Sequence, residues 1–224
     1  MSTDSTAASA QVVIVGGGGH ARMLVDALHA IGEPWTITVL DADSSRHGTL
    51  VLDAPIVGGD DALSDLIEAG ATHFAVGIGT PVSGDSRPRR RIFERVLASG
   101  LVALTIVHPR AIVSPWATIG PGAQILPGAI VNAGVRIGMN TIVNSGAIVE
   151  HDCIVGDHVH VASGACLASA VTVGDGAHIG AGAVVRQIVR IGASAVVGAG
   201  AAVVHDVAAA TVVAGVPAKA LSHA

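Results

Sequence analysis

From Val113 to Val203 every sixth residue is Val, Ile or Leu, without a gap or a slip. The series opens Val113, Ile119, Ile125, Val131 and closes Val185, Ile191, Val197, Val203. Four residues after each anchor stands a small or β-branched residue, from Ala117 and Ala123 through to Ala201 and Val207. The residue directly after the anchor is often Gly, as at Gly120, Gly138, Gly156 and Gly174. A helix would need a period of about 3.6 and an ordinary strand a period of two. A period of six describes a short strand, then a turn, repeated as a solenoid. Three such units close a triangular coil of about 18 residues, and coils stack at the roughly 4.7–4.9 Å spacing of hydrogen-bonded strands. The anchors point inward, each worth roughly 1.5–3 kcal/mol before ordering entropy is subtracted. The Gly after the anchor is expected to supply the corner's unusual backbone angles. Composition agrees: half of the residues are hydrophobic but only 2% are aromatic, so thin layers of Val, Ile, Leu and Ala must fill the interior. The C-terminal half is therefore expected to be a parallel β-helix.

The first half reads differently. Gln11 to Val15 is a buried-strand run, Gly16 to Gly19 a turn, and Ala21 to Ile31 a helix with Met23, Leu24, Ala27, Leu28 and Ile31 on one face. Thr36 to Leu40 is a second strand, Asp61 to Ala69 a short helix, His73 to Gly77 a third strand and Pro88 to Ser99 a further helix. This alternation predicts an α/β domain with a small parallel, Rossmann-like sheet and a Gly-rich turn after its first strand. The expected organisation is a poorly ordered 1–10, a Rossmann-like α/β domain over 11–105 and a β-helix over 106–224.

Several function classes fall away. The net charge of −5 argues against a nucleic-acid partner. The basic run of Arg87, Arg89, Arg90 and Arg91 reads as a solvated helix start rather than an anion site. Cys153 and Cys166 have no metal-ligand spacing and make no disulfide framework. No signal peptide or membrane span is legible, which makes the cytoplasm the expected location.

The solenoid period makes the sequence a rough map, because residues 18 apart stack. His178 should lie on His160, and Glu150 on Asn132. His151 sits two residues past the anchor Val149, pointing outward between Glu150 and Asp152. A histidine beside a carboxylate suits a general base. His158, at a corner after Asp157, reads as merely exposed. His160 and His178 could offer two metal ligands, but their other stacked neighbours, Ile142 and Val196, offer no third, so no metal site is expected.

The run from Ile142 through Asn144, Glu150, His151, Asp152 and Cys153 to His160 resembles the signature of bacterial sugar acetyltransferases. These include the sialic acid O-acetyltransferases and the N-acetyltransferases of nucleotide-linked 4-amino sugars, as in bacillosamine and perosamine synthesis. The start, Val12 to Ala21, and the end, Val213 to Lys219, resemble the same family. The resemblance implies a left-handed β-helix, an exception to the right-handed crossover rule, and a homotrimer with active sites between neighbouring β-helices. It implies acetyl-CoA as co-substrate with no metal. His151 would be the general base, assisted by Asp152 or Glu150. His160, Ser169, His178 and Lys219 would contact acetyl-CoA. Gly16, Gly18, His20, Asp41, Asp43 and Asn132 would bind the nucleotide sugar. Ser169 stands where the family often carries Gly, and the segment Gly77 to Arg87 is longer than the family's and lacks its Asn.

On these residues the chain is expected to move an acetyl group from acetyl-CoA to the amine of a nucleotide-linked amino sugar. O-acetylation of sialic acid or a related sugar is the alternative, and a non-enzymatic or metal-binding β-helix the second. Cys153, at an inward position, is a poor nucleophile.

Overall fold

The computed structural model describes residues 10–80 and 84–221. The disorder expected for 1–10 therefore falls, Ala10 apart, outside the described residues, as do positions 81–83 of the segment Gly77 to Arg87. Among the described residues no helix is long and apolar enough to cross a membrane.

The first half is a six-stranded sheet in the order β3-β4-β2-β1-β5-β6, with β1 Gln11–Val15, β2 Thr36–Leu40, β3 Leu50–Val51, β4 Ala54–Gly58, β5 Ala71–Val76 and β6 Val102–Ala103. All neighbours are parallel except the β3–β4 hairpin. β1 is central because its Val12 to Val15 are apolar enough to be covered on both faces. Helix α1 (Gly19–Ile31) buries Leu24, Val25 and Leu28 and stops at Gly32, whose φ of 78° forms the left-handed cap. Helix α2 (Leu63–Glu68) follows a 3-10 turn over Asp60–Ala62, and α3 (Arg87–Leu97) starts with Pro88 in its first turn. β3 and β6 are absent from the expectation because two-residue strands carry no readable period, and β4 because Pro55 interrupts its apolar run.

Past β6 the chain changes sheet at once. The strand Ile106–Val107 pairs with Gln124–Ile125, the first of a ladder of two-residue strands. These wind into three sheets of eight, six and five strands among the described residues, parallel except for Lys219–Ala220, which runs antiparallel to Val212–Ala214 at the end of the first. Coil pairs with coil at 18 residues, as in Ile142 with His160 and His160 with His178. The last coil is shortened to 16, with Val196 opposite Val212. Anchors and the small residues four places on fill one continuous interior core from Ala123 to Val213.

The glycines do two jobs, and the expectation assigned one of them to the wrong position. Gly120, Gly138 and Gly156, directly after anchors, do not have positive φ. A Cβ on Gly138 would lie 2.5 Å from the carbonyl carbon of Gly156 on the next coil, so these glycines permit close coil stacking. The left-handed corner falls two residues later, at Gly122, Gly128, Gly134 and Gly182, and in the same phase at Asn140, Asp152 and His158. Two further expectations are corrected. His158 is 5% exposed, because its corner is covered by α3, with the Phe93 ring 5.7 Å away edge-on. Arg89 is 1% exposed, because the same helix packs it into the joint between the two halves. Ser86 Oγ, at the start of α3, donates to Gly176 O at 3.0 Å on that edge of the coil.

This division of glycine roles predicts unequal costs. Gly156→Ala forces a methyl against Asp175 and its backbone and should cost roughly 1–3 kcal/mol. Gly182→Asn, at a left-handed corner with open space around it, should leave the urea midpoint nearly unchanged, since Asn tolerates that conformation. Equal losses in the two variants would contradict the assignment.

Candidate active site

Three groups of polar residues stand out against the aliphatic scaffold. The first is a crevice at the carboxyl ends of β1 and β5, lined by Gly18, Gly19, His20, Gly77, Ile78, Gly79 and Thr80, with a volume of about 430 Å³. It lies where α1 presents its N-terminus, which favours an anion. A Cβ placed on Gly18 or Gly19 would meet nothing within 4 Å, so the turn is open there. Gly16 serves packing instead. At φ 97° it lies against Ile78, and a Cβ there would collide with that side chain. Asp41 is committed to the turn. Its Oδ2 accepts from Gly17 N at 2.7 Å and from Arg46 Nη1 at 2.7 Å, and its Oδ1 accepts from Asp43 N at 2.9 Å. Arg46 also donates to Gly17 O. Asp43 caps the 3-10 turn Ser44–Arg46, accepting from Ser45 N and Oγ. These bonds hold the Asp43 carboxyl below its ordinary range.

The second group joins the crevice to the coil. His20 Nε2 meets Gln124 Oε1 at 2.7 Å, and Gln124 Nε2 donates to Val76 O at 3.1 Å. Since the Gln124 amide nitrogen is spent on that carbonyl, His20 is the donor and its proton sits on Nε2. His160 and His178 stack at 5.1 Å, edge to face, as the 18-residue map requires. Asn144 Oδ1 accepts from Ser145 N at 2.7 Å, which leaves Asn144 Nδ2 to donate to His160 Nε2 at 3.2 Å. Neutral His160 must then carry its proton on Nδ1, a buried atom without a partner, as is Nδ1 of His178. Burial, and then the charges of His178, His20 and Arg89, push His160 down to about 3. Burial, followed by Arg89, pushes His20 down to about 4. Burial alone lowers His178. Gly79 lies beside this group, its Cβ direction ending 3.9 Å from His160 Cε1.

The third group is the turn Glu150-His151-Asp152. His151 Nδ1 meets Asp152 Oδ2 at 2.8 Å, and His151 N donates to Glu150 Oε2 at 3.3 Å. Asp152 is in the left-handed conformation, φ 62°, which turns its carboxylate back onto the imidazole. Nδ1 is thereby held as a donor and Nε2 is left to take a proton. The turn of Ser169 stacks on this one, with Ala170 N donating to His151 O at 2.9 Å. Asn132 N donates to Val149 O at 3.0 Å, which sets Asn132 against the Glu150 corner. Cys153 is buried, its thiol on Ala168 O at 3.1 Å and pushed up to about 11, first by burial.

The structure thus brings His20, His160 and His178 together, and separately Glu150, His151, Asp152, Ser169 and Asn132. Among the described residues no hydrogen bond, ion pair or ring contact joins the two sets, because the second lies on the turn between the second and third sheets and the first on the first sheet. Lys219 is exposed in the terminal strand Lys219–Ala220, three strands along the first sheet from His178. The sequence reading missed Gln124, Asn144 and Arg89. Gln124 was legible as the one polar residue in an outward-facing place between Ile106 and Ile142. Among the described residues no group of three or more His, Cys, Asp or Glu could hold a metal ion.

The buried imidazoles predict a pH dependence of stability. The unfolded chain protonates its histidines near pH 6.5, the folded chain only near 4 at His20 and 3 at His160. The unfolded state therefore binds more protons between these values, and stability falls as pH is lowered through that window. The fall in urea midpoint between pH 7 and 4 should be smaller in His160→Gln than in the parent chain. An equal fall would contradict a buried neutral imidazole.

Comparison with known proteins adds to this geometry. Residues 11–96 match the PglD N-terminal domain, and residues 117–151 match the bacterial transferase hexapeptide (six repeats). Perosamine N-acetyltransferase from Caulobacter crescentus, solved as histidine-to-asparagine and histidine-to-alanine variants in complex with CoA and GDP-perosamine, is 39% identical. That match has a TM-score of 0.88 and covers 95% of this chain and 97% of that one. The acetyltransferase domain of PglB from Neisseria gonorrhoeae, in complex with acetyl coenzyme A, is 33% identical, with a TM-score of 0.87 over 95% of this chain and 100% of that one. WeeI from Acinetobacter baumannii, at 24% identity and a TM-score of 0.81 over 95% of this chain and 100% of that one, shares the fold. No curated protein matches.

Proposed function

This chain belongs to the sugar acetyltransferases built on a left-handed β-helix of hexapeptide repeats, and from that premise we propose that it moves an acetyl group from acetyl-CoA to the amine of a nucleotide-linked amino sugar, with His151 as general base. The observation that carries the reading is the 2.8 Å contact from Asp152 to His151 Nδ1 on the outward turn Glu150-His151-Asp152. The molecules bound by the relatives support the substrates: CoA and GDP-perosamine in one, acetyl coenzyme A in the other.

The acceptor's nucleotide part fits the crevice at the α1 N-terminus, with Gly18 and His20 at its wall. Acetyl-CoA supplies the activated thioester. In this reading the thioester lies by His160, whose buried Nδ1–H has no acceptor within the chain. His151 Nε2 takes a proton from the amine as the nitrogen bonds to the acetyl carbon. Asp152 holds the imidazolium that forms. The backbone N–H of Ser169, on the turn stacked over His151, donates to the oxygen where negative charge grows. His151 then returns the proton to sulfur as the carbon–sulfur bond breaks, and CoA leaves as the thiol. Cys153, buried and protonated, takes no part.

His151 and His160 lie on different faces of one coil, so the reading needs a neighbouring copy to bring them together. The second sheet offers the surface for it. Its outward residues Ile112, Ile130, Ile148, Cys166, Val184 and Ala202 are apolar without exception, whereas the third sheet shows Thr118, Arg136, Thr172 and Arg190. A stripe of this kind on a closed assembly is buried against a copy, in a homotrimer.

Two outcomes are expected. His151→Ala should lower kcat by about 10²–10⁴ with the oligomer intact, measured as acetyl transfer to a panel of UDP-, GDP- and dTDP-linked amino sugars and free hydroxyl sugars. Near-normal turnover would remove His151 from the mechanism, and acetylation of hydroxyls alone would select the O-acetyltransferase reading. Ile148→Glu should reduce the mass in solution from trimer to monomer by light scattering. A trimer that persists would move the interface elsewhere.

A further inference from the structure

Arg89 is the one fully buried charge of the described core, and the proposed reaction does not use it. Its Nη1 donates to Val76 O at 2.9 Å and to Ile78 O at 2.5 Å, and its Nε donates to Asn140 O at 3.4 Å. All three partners are carbonyls. Among the described residues no carboxylate pairs with it, and its Nη2 is buried without any partner. A buried cation with only neutral acceptors and no counter-charge is costly. Burial accordingly makes the guanidinium less basic, down to about 9. The three carbonyls are not scattered. Val76 ends β5, Ile78 is in the crevice wall, and Asn140 is a left-handed corner of the coil, so one side chain ties the crevice loop to the β-helix. Val76 O is shared with Gln124, whose other end holds His20. A second orphan, the buried Oγ1 of Thr80, is in the same loop and lines the same crevice.

We propose that Arg89 is the positioning residue of the acceptor site: it clamps the loop Val76 to Ile78 onto the coil and sets a fixed positive charge beneath the crevice, for which the diphosphate of a bound nucleotide sugar is the missing counter-charge. The proposal rests on the reading that this crevice takes the nucleotide. The groups facing the guanidinium do not supply its charge. His20 on α1, His160 and His158 on the coil are all held neutral at pH 7, first by burial. Arg90 and Glu94, on the solvent side of α3, are paired with each other. The α1 N-terminus and the guanidinium therefore act on the crevice together, one through backbone N–H groups and one through a full charge.

Arg89→Met and Arg89→Lys test it in the full-length protein. In Arg89→Met, the Kd for GDP or UDP and the KM for the nucleotide-linked sugar should rise about tenfold or more, with the KM for acetyl-CoA within about twofold. Arg89→Lys keeps the charge but not the planar fork, and should recover most of the nucleotide affinity if charge is what the site uses. A structural role alone would move both Michaelis constants, or stability, in the two variants alike, and that result overturns the proposal. So does unchanged nucleotide affinity in a folded Arg89→Met. If Arg89→Met does not fold, Arg89→Gln decides in the same assays: a selective loss of nucleotide affinity supports the proposal, and unchanged nucleotide affinity overturns it. A parent chain that transfers acetyl groups yet shows no Arg89 effect refutes the proposal alone. One that binds no nucleoside diphosphate refutes the crevice reading and the proposal with it.

Discussion

The backbone ladder between coils is the interaction on which the rest depends. Each two-residue strand donates upward and accepts from below, as Ile142 N does to Val159 O at 2.9 Å and His160 N to Ala177 O at 3.0 Å. A ladder of that kind needs inward residues of constant size and corners of constant geometry. The Val/Ile/Leu anchors and the small residues four places later supply the first. The left-handed corner supplies the second, and the glycine after each anchor lets successive coils approach. Once the ladder holds, side-chain position is fixed in three dimensions by position in the sequence alone. His160 meets His178, Asn140 Nδ2 meets His158 Nδ1 at 2.9 Å, and the turn of Ser169 covers that of His151.

The second dependency is the joint between the halves. Helix α1 and β1 share an apolar cluster with Ile106, Leu126 and Ile142 of the coil, which holds the α/β sheet against the first sheet of the helix. Polar side chains then fix the relative position finely. Gln124, Arg89 and Ser86 each cross the boundary to a backbone carbonyl or a histidine. The crevice at the ends of β1 and β5 is in this way referred to the same frame as His160. A nucleotide site on one domain and an acetyl site on the other can work on one substrate only if such a frame exists.

Much of this was legible in the sequence, and the parts that were not have specific causes. The six-residue period carries the coil because every layer repeats the same packing problem, and it correctly stacked His160 on His178. It misassigned the corner glycines because close approach and positive φ both select Gly, and the period cannot tell them apart. His158 read as exposed because its covering, Phe93, is 65 positions away on a helix that the period says nothing about. Arg89 was hidden in a run of arginines whose neighbours Arg90 and Arg91 are solvated, and only the docking of α3 separates them. The His151 turn was legible as a Glu-His-Asp run, but the orientation of the Asp152 carboxylate follows from a left-handed φ that no residue type announces. Asn144 was invisible as the residue that sets the His160 proton, since that follows from which of its amide atoms Ser145 N already occupies.

The central claim is that acetyl transfer needs His151 from one copy and His160 from its neighbour. Mixed trimers of His151→Ala and His160→Ala chains test it directly. Each variant alone should be nearly inactive. A mixed trimer has one intact pair among its three interfaces, so acetyl transfer to the nucleotide-linked amino sugar should reappear on mixing under exchange conditions. No recovery in verified mixed trimers would place both histidines in one chain's site, or outside the reaction, and contradict the account.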